Sequence, residues 1–339
     1  MNAVKKLLKI REVSSLLFLI VLFAVVGLVN HSFFTPTTIL NCFNDSVVFT
    51  LLAAGIAFVI FTGEIDVSIG ATLGLSAAVA SSFLRDGSNW AVAIVAGLAV
   101  GLVIGLINGW GVAILGIPSL IFTLGTMGVA RGLIYVYTKG AWVENLPADF
   151  TKLSKTMLAG GLTNFYAAVI VFVILAHFVL TRTRRGKYFI AVGDNAMGAT
   201  LVGIPAKNTK VLSYVICGLF SAVAGVIYSA RIGFITPVAG SGYEMNAIAA
   251  CVLGGISLTG GLGSLLGASI GAVIMSSVSR ILVFLGFSSD YNDTITGVLL
   301  IAIVVIDAVS QNRAAVKNRH ARLAARTADE NNEKGGERA

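Results

Sequence analysis

The chain has 339 residues, of which 56% are hydrophobic and only 12% charged, and its formal net charge is +8. A soluble domain carries about twice that share of charge, so the composition excludes an ordinary water-soluble fold and makes lipid the solvent for most of the chain. Cys42, Cys217 and Cys251 fall in or beside apolar segments without CxxC spacing, which suggests neither a disulfide framework nor a zinc site.

Lys5, Lys6, Lys9 and Arg11 precede an apolar run over 13–29. That layout resembles a signal peptide, but no convincing small-residue cleavage site follows it, so the run is read as an uncleaved first span behind a cytoplasmic segment, 1–12. Further apolar runs lie near 47–61, 67–84, 90–115, 118–137, 164–180, 211–230, 246–258, 263–285 and 294–309. A bilayer core near 30 Å takes about 20 helical residues, which leaves 47–61 and 246–258 short. The predicted fold is all-α and polytopic: about ten transmembrane helices over 13–310, in two pseudo-repeated halves with broken or re-entrant helices. The last stretch, 311–339, mixes charge with small polar residues and is expected to be a disordered cytoplasmic tail.

Lys and Arg in short loops stay on the cytoplasmic side. With ten alternating spans, the loop 182–210, carrying Arg182, Arg184, Arg185, Lys187, Lys207 and Lys210 against Asp194, falls inside, as does the tail with Arg313, Lys317, Arg319 and Arg322. Both termini are then cytoplasmic. Asp45, Asp86, Glu144, Asp149, Glu244, Asp290 and Asp293 fall outside. The positive balance is thus a matter of topology and does not call for a nucleic-acid partner.

An internal repeat links the two short runs. "GEIDVSIG" at 63–70 aligns without gaps on "GGISLTGG" at 254–261, each directly after a short run. Each unit is expected to enter the membrane as a helix, break at the glycines near the cytoplasmic half, and restart; such backbone is tolerable only where it is buried in protein or lines a wet cavity. Asp66 aligns with Ser257 and Ser68 with Thr259, all four of them residue types that cap helix N-termini. Asp66 therefore has two readings: a cap that satisfies free N–H groups and complements the positive helix end, or a group on the solute path or its gate. Glu64, aligned with Gly255, has no capping role, and a snorkelling or cytoplasmic position is expected for it.

"YFIAVGDNAMGATLVGIPAK", 188–207, lies in the basic loop. Asp194 is placed as an N-cap, 195–202 as a two-turn helix, and Gly203 with Pro205 as its stop. A short capped helix between basic residues suits a knob for a cytoplasmic partner; the alternative is a surface loop that happens to be helical.

The motifs "GEIDVSIGATLGLSA", "PSLIFTLGTMGVARG", "AVGDNAMGATLVGI" and "GSGYEMNAIAACVLGGISLTGGLGSLLGASIGA" resemble the permease subunits of bacterial ATP-binding-cassette sugar importers, the branch that handles ribose, xylose, arabinose, galactose and rhamnose. The resemblance runs from about residue 13 to 307. Within the branch, "KGAWVENLPADFTKLS" and "GYEMNAIAACVLGGISL" are similar to the permeases for autoinducer-2, itself a cyclised five-carbon sugar derivative. The resemblance implies an inner-membrane transport subunit paired with a copy of itself or a sister permease. Its other implied partners are a periplasmic substrate-binding protein and two cytoplasmic ATPase domains. It further implies that the segment with Gly193, Asp194, Asn195, Ala199 and Gly203 is the ATPase-coupling helix. The chain has no GxxxxGK[ST] loop, so ATP is expected to be used by partner subunits, with no cofactor on this chain.

A path for a neutral, polyhydroxylated solute favours amides and hydroxyls over fixed charge. Asn108, Thr123, Thr126, Ser257 and Thr259 join Asp66 and Ser68 as candidates for path or gate, although serine and threonine in membranes more often bond their own or a neighbouring helix. Gly101, Gly105 and Gly109 form G-x-x-x-G spacings, read as close helix contact. A rival class is an ion-coupled secondary transporter with Glu64 and Asp66 as the coupling acids, which leaves the capped cytoplasmic helix without a purpose. An intramembrane enzyme is disfavoured, since His31, His177 and His320 form no HExxH and no nucleophile has a base at motif spacing.

Overall fold

Each predicted run becomes a helix, and most helices begin where a capping residue is written. The computed structural model describes residues 11–302 apart from Ala159, together with 304, 305 and 309; the first ten residues and the expected disordered tail at 311–339 lie outside the described residues. Residues 11–297 pack as one unit, and the account below concerns it.

The first span, α1, is Arg11–Val29. Helix α2, Pro36–Asp45, opens on Thr35, whose hydroxyl accepts the Thr38 N–H, with proline at the first turn. It bends by 42° into α3, Val47–Phe61. After the first break comes α4, Ile69–Arg85, then α5, Trp90–Gly109, capped by Asn89. A π-helical turn, Trp110–Ile114, widens the end of α5 before α6, Ser119–Thr138. Helix α7, Ala148–Lys155, is short; α8, Asn164–Arg182, is capped by Thr163. The basic loop folds into α9, Arg184–Asp194, and α10, Ala196–Leu201. Then come α11, Ala206–Ile232, ended by left-handed Gly233, and α12, Tyr243–Leu253. After the second break, α13, Leu265–Phe284, is capped by Ser264, and α14 is Asn292–Ala302.

Among these, α1, α6, α8, α11, α13 and α5 with its π turn are each long and apolar enough to cross a bilayer, and the bent α2–α3 pair makes a possible seventh. The remaining apolar helices α4, α12 and α14 are shorter. The expectation of about ten spans thus resolves into full spans plus the halves of broken ones. Outward residues such as Val136, Ile121 and Val171 are exposed, as a lipid-facing surface requires.

Helix α3 forms the centre: every residue in it except Phe49 is buried. Around it α11 packs against α3, α4 and α5, while α13 packs on α12, α3 and α1. Lipid tails are as apolar as leucine, so helices associate by close packing and hydrogen bonds and not by expelling water. The α5–α11 seam shows this. A Cβ on Gly101 would stand 2.2 Å from the Gly218 carbonyl oxygen, one on Gly105 2.6 Å from that of Tyr214, and one on Gly109 2.9 Å from the Val211 Cα. These G-x-x-x-G spacings are contact surfaces, as their sequence suggested.

Polar groups lock the end of the bundle farthest from the basic loop. Asp45 at the end of α2 pairs with Arg231 of α11 and Arg280 of α13, and Arg231 also donates to the Asn44 carbonyl. The Asn44 side chain donates to the Gly161 carbonyl at 3.0 Å and accepts the Thr163 N–H at 2.8 Å. One loop corner thereby joins α2, α8, α11 and α13.

Candidate functional site

The two breaks lie side by side at the basic end. The first, Thr62–Ser68, separates α3 from α4; the second, Gly254–Ser264, separates α12 from α13. They touch directly, because the Gly261 N–H donates to the Phe61 carbonyl at 3.1 Å. Glycine makes this possible: Gly63, Gly260 and Gly261 all take positive φ, and a Cβ on Gly260 would fall 2.8 Å from the Gly63 nitrogen.

Inside the first break the sequence brings together three of the predicted site residues. Asp66 is 2% exposed. Its Oδ1 accepts the Ser68 N–H at 2.8 Å and the Ser68 hydroxyl at 2.7 Å. Asn108, on the last turn of α5, donates to the Ser68 hydroxyl at 2.8 Å and stands 3.4 Å from both Asp66 oxygens. A carboxylate bonding an N–H two residues ahead at a helix entrance is an Asx turn, which does the work of a cap. The capping group is also the centre of a buried polar cluster. Among the described residues no ion pair includes Asp66.

Helices α6 and α11 complete the walls. The Thr123 hydroxyl accepts the Val67 N–H at 3.3 Å and donates to the Ser119 carbonyl at 2.8 Å. The Ser119 hydroxyl accepts the Ile65 N–H, and the Tyr214 hydroxyl donates to the Ile65 carbonyl, both at 3.3 Å. The backbone freed by breaking the helix is thus bonded by side chains from neighbouring helices, which is what permits it at membrane depth. Ser119 and Tyr214 were not predicted; their only signal is the need of an unwound segment for partners.

Other predicted residues lie apart. Thr126 bonds back to the Phe122 carbonyl at 3.1 Å and borders an apolar cavity of about 740 Å³ between α5 and α6. In the second break the Ser257 and Thr259 hydroxyls bond each other at 2.9 Å, repeating the Asp66–Ser68 contact of the first. Glu64 pairs with Lys210 near the start of α11, so it is held by a partner on the basic loop and not merely extended toward water.

The basic loop departs from expectation in register. Asp194 is the last residue of α9 and not a cap; Asn195 caps α10, its Oδ1 accepting the Gly198 N–H at 2.8 Å. The helix covers 196–201 instead of 195–202, because α9 continues up to Asp194 and uses its backbone. Gly203 closes it with φ of 82°. Ala199 is buried on the inner face, whereas Met197, Leu201 and Val202 are 78%, 83% and 77% exposed, an apolar knob that none of the described residues covers. Gly193 rests on the breaks: a Cβ there would lie 1.8 Å from the Phe61 oxygen and 2.6 Å from the Gly261 nitrogen.

A charged group inside the span α6 was also missed. Arg131 donates to the Ala239 and Gly240 carbonyls and faces Glu244 of α12 at 3.8 Å. An ionisable residue in an apolar run is a functional or structural flag by default, and the "VARG" of α6 carried that flag.

Comparison with known proteins agrees with this architecture. Residues 38–304 match the family model described as branched-chain amino acid transport system / permease component. The chain is similar to the autoinducer 2 import system permease protein of Enterobacter sp. strain 638, 39% identical over 92% of both chains. It is 37% identical to that of Escherichia coli strain K12 / DH10B, over 88% of this chain and 86% of the relative. With that of Yersinia pseudotuberculosis it shares 38% identity over 88% and 84%. No solved structure matches. By a family match over most of its length and relatives well above a third identical, the chain belongs to the permease-component family of these import systems.

Proposed function

We propose that this chain is the membrane-spanning permease of an ATP-binding-cassette importer for a small sugar-like solute, with autoinducer-2 as the foremost cargo. Two cytoplasmic ATPase domains drive it, a periplasmic binding protein delivers the solute, and a second permease, identical or sister, completes the path in the inner membrane. The observation that carries this reading is the apolar knob of α10 at the basic end, backed by Gly193 against both breaks. An ion-coupled transporter has no use for such a knob.

The cargo follows from the relatives' names and from the chemistry of the breaks. Ser68, Asn108, Thr123, Ser257 and Thr259 offer hydroxyls and an amide, which exchange bonds with a polyol without the cost of desolvating an ion. A zwitterionic amino acid, the class in the family's description, would favour fixed charges of both signs; in the trio Asp66, Ser68 and Asn108 the one carboxylate is already bonded by Ser68 and no cation stands beside it among the described ion pairs. Most of these groups are buried here, as a path closed at this level requires. Thr126 borders the α5–α6 cavity, apart from these groups.

Uptake into vesicles containing the permease, its ATPase subunits and binding protein tests the reading. Labelled autoinducer-2 or a pentose is expected to accumulate only with ATP inside and binding protein outside, and to survive an uncoupler. Uptake that needs no ATP and collapses with the uncoupler would establish the ion-coupled rival.

A further inference from the structure

We propose that the docking helix α10 drives the path through two grips on the first break, one before the helix and one after it. This rests on the importer reading above.

The upstream grip is main chain on main chain. Gly193, two residues before the Asn195 cap, sits on the Phe61 carbonyl where the Gly261 N–H is bonded, and a Cβ on Gly261 would meet the Asp194 Cα at 3.0 Å. The main chains here lie so close that not even a methyl group would fit between them, so a push on α9 or α10 passes into both breaks with little give. The downstream grip is the ion pair of Lys210 with Glu64, at side-chain exposures of 23% and 18%. It is polar and partly wet, hence able to open and reform. Beside the downstream grip lies a cavity of about 550 Å³ bordered by Glu64, Pro118, Met197, Thr200, Lys207 and Lys210. This is room into which α10 can move toward the turn that joins α5 and α6.

The break is short. Glu64 is two residues from Asp66, whose carboxylate organises Ser68 and Asn108. Residues 61 and 64 are held by opposite flanks of α10, so tilting that helix changes the spacing of the two anchors and twists the segment between them and Asp66. Gly193 and the Glu64–Lys210 pair are accordingly positioning residues: neither touches solute, and both set where the polar cluster stands.

The test is uptake per ATP hydrolysed in the complete complex in lipid, with membrane abundance measured alongside. Glu64→Gln and Lys210→Met are each expected to lower that ratio, by up to about fivefold for a partly exposed pair. The exchange Glu64→Lys with Lys210→Glu is expected to restore it. Gly193→Ala is expected to lower the ratio further, about tenfold, because the overpacked methyl separates the breaks. If Gly193→Ala protein fails to accumulate, the charge variants decide alone. A ratio unchanged in both single charge variants overturns the proposal, and so does an exchange variant as poor as the singles. Absence of ATP-driven uptake by the unaltered complex would instead count against the importer reading.

Discussion

Replacing Asp66 separates the two readings of the first break. In Asp66→Asn, the new Oδ1 can still accept the Ser68 N–H and hydroxyl, while the new Nδ2 meets the Asn108 Nδ2 that now faces the carboxylate. Two donors repel, but the Asn108 Oδ1 is buried without a hydrogen-bond partner among the described residues. Turning that amide over presents its oxygen to the new donor at the cost of its bond to the Ser68 hydroxyl, so the substitution exchanges one bond for another and also removes a buried carboxylate. Asp66→Leu cannot do this. It strands the Ser68 N–H and weakens the Asn108 amide, buried groups whose loss costs about 1–3 kcal/mol each, for a total of about 2–6 kcal/mol. The assay is membrane abundance, thermal unfolding in detergent and uptake for the two variants. Abundant, transporting Asp66→Asn beside destabilised Asp66→Leu is expected. Abundant Asp66→Asn protein without uptake would refute the capping account and make the negative charge itself a requirement of transport.

Gly203→Val is expected to lower the stimulation of ATP hydrolysis by loaded binding protein, and Gly203→Asn to retain most of it. No atom lies within 4 Å of a Cβ there, so the penalty is the left-handed backbone alone, about 1–2 kcal/mol for an ordinary residue and least for asparagine. Leu201→Glu, at an exposed apolar position, is expected to weaken capture of the ATPase subunits in pull-down without changing abundance; unaltered capture would show that the knob is not the docking surface. Gly105→Val is expected to reduce abundance sharply, since its side chain would meet the Tyr214 carbonyl and overpacking costs about 1–3 kcal/mol. Asp45→Asn removes one carboxylate from two arginines and is expected to lower the thermal midpoint, with the loss reduced at high salt where the remaining like charges are screened.

The repeat was legible because glycine and small hydroxyl residues recur at matched positions after two runs too short to span, and both copies break where that pattern stands. That the copies touch was not legible. Contact between residues 61 and 261 is carried by main-chain atoms, and no side-chain pattern reports it. Glu64 was expected to snorkel or sit on the cytoplasmic side because it had no capping role; its partner Lys210, 146 positions away, was not legible. The cap of α10 slipped by one residue because Asp194 and Asn195 are both good caps, and only the length of α9 chooses between them. The Asp66–Ser68–Asn108 cluster was half legible: residue types named its members, but the π turn after α5 that accompanies Asn108 has no sequence signature as clear as a proline.

The bond from Gly261 to Phe61 has a consequence for how the protein can change over generations. Its donor and acceptor are peptide groups, so no exchange of one side chain for another, proline at 261 apart, removes either of them. What a mutation can do is add atoms nearby, and Gly193, Gly260 and Gly261 are the positions where any addition presses on the junction. Around them, the side chains proposed for the path are free to drift toward a different cargo while the joint between the two breaks stays the same. On that reading selectivity is written in side chains, whereas the joint is written in bare backbone with the Glu64–Lys210 pair beside it, and a lineage can revise one without rewriting the other.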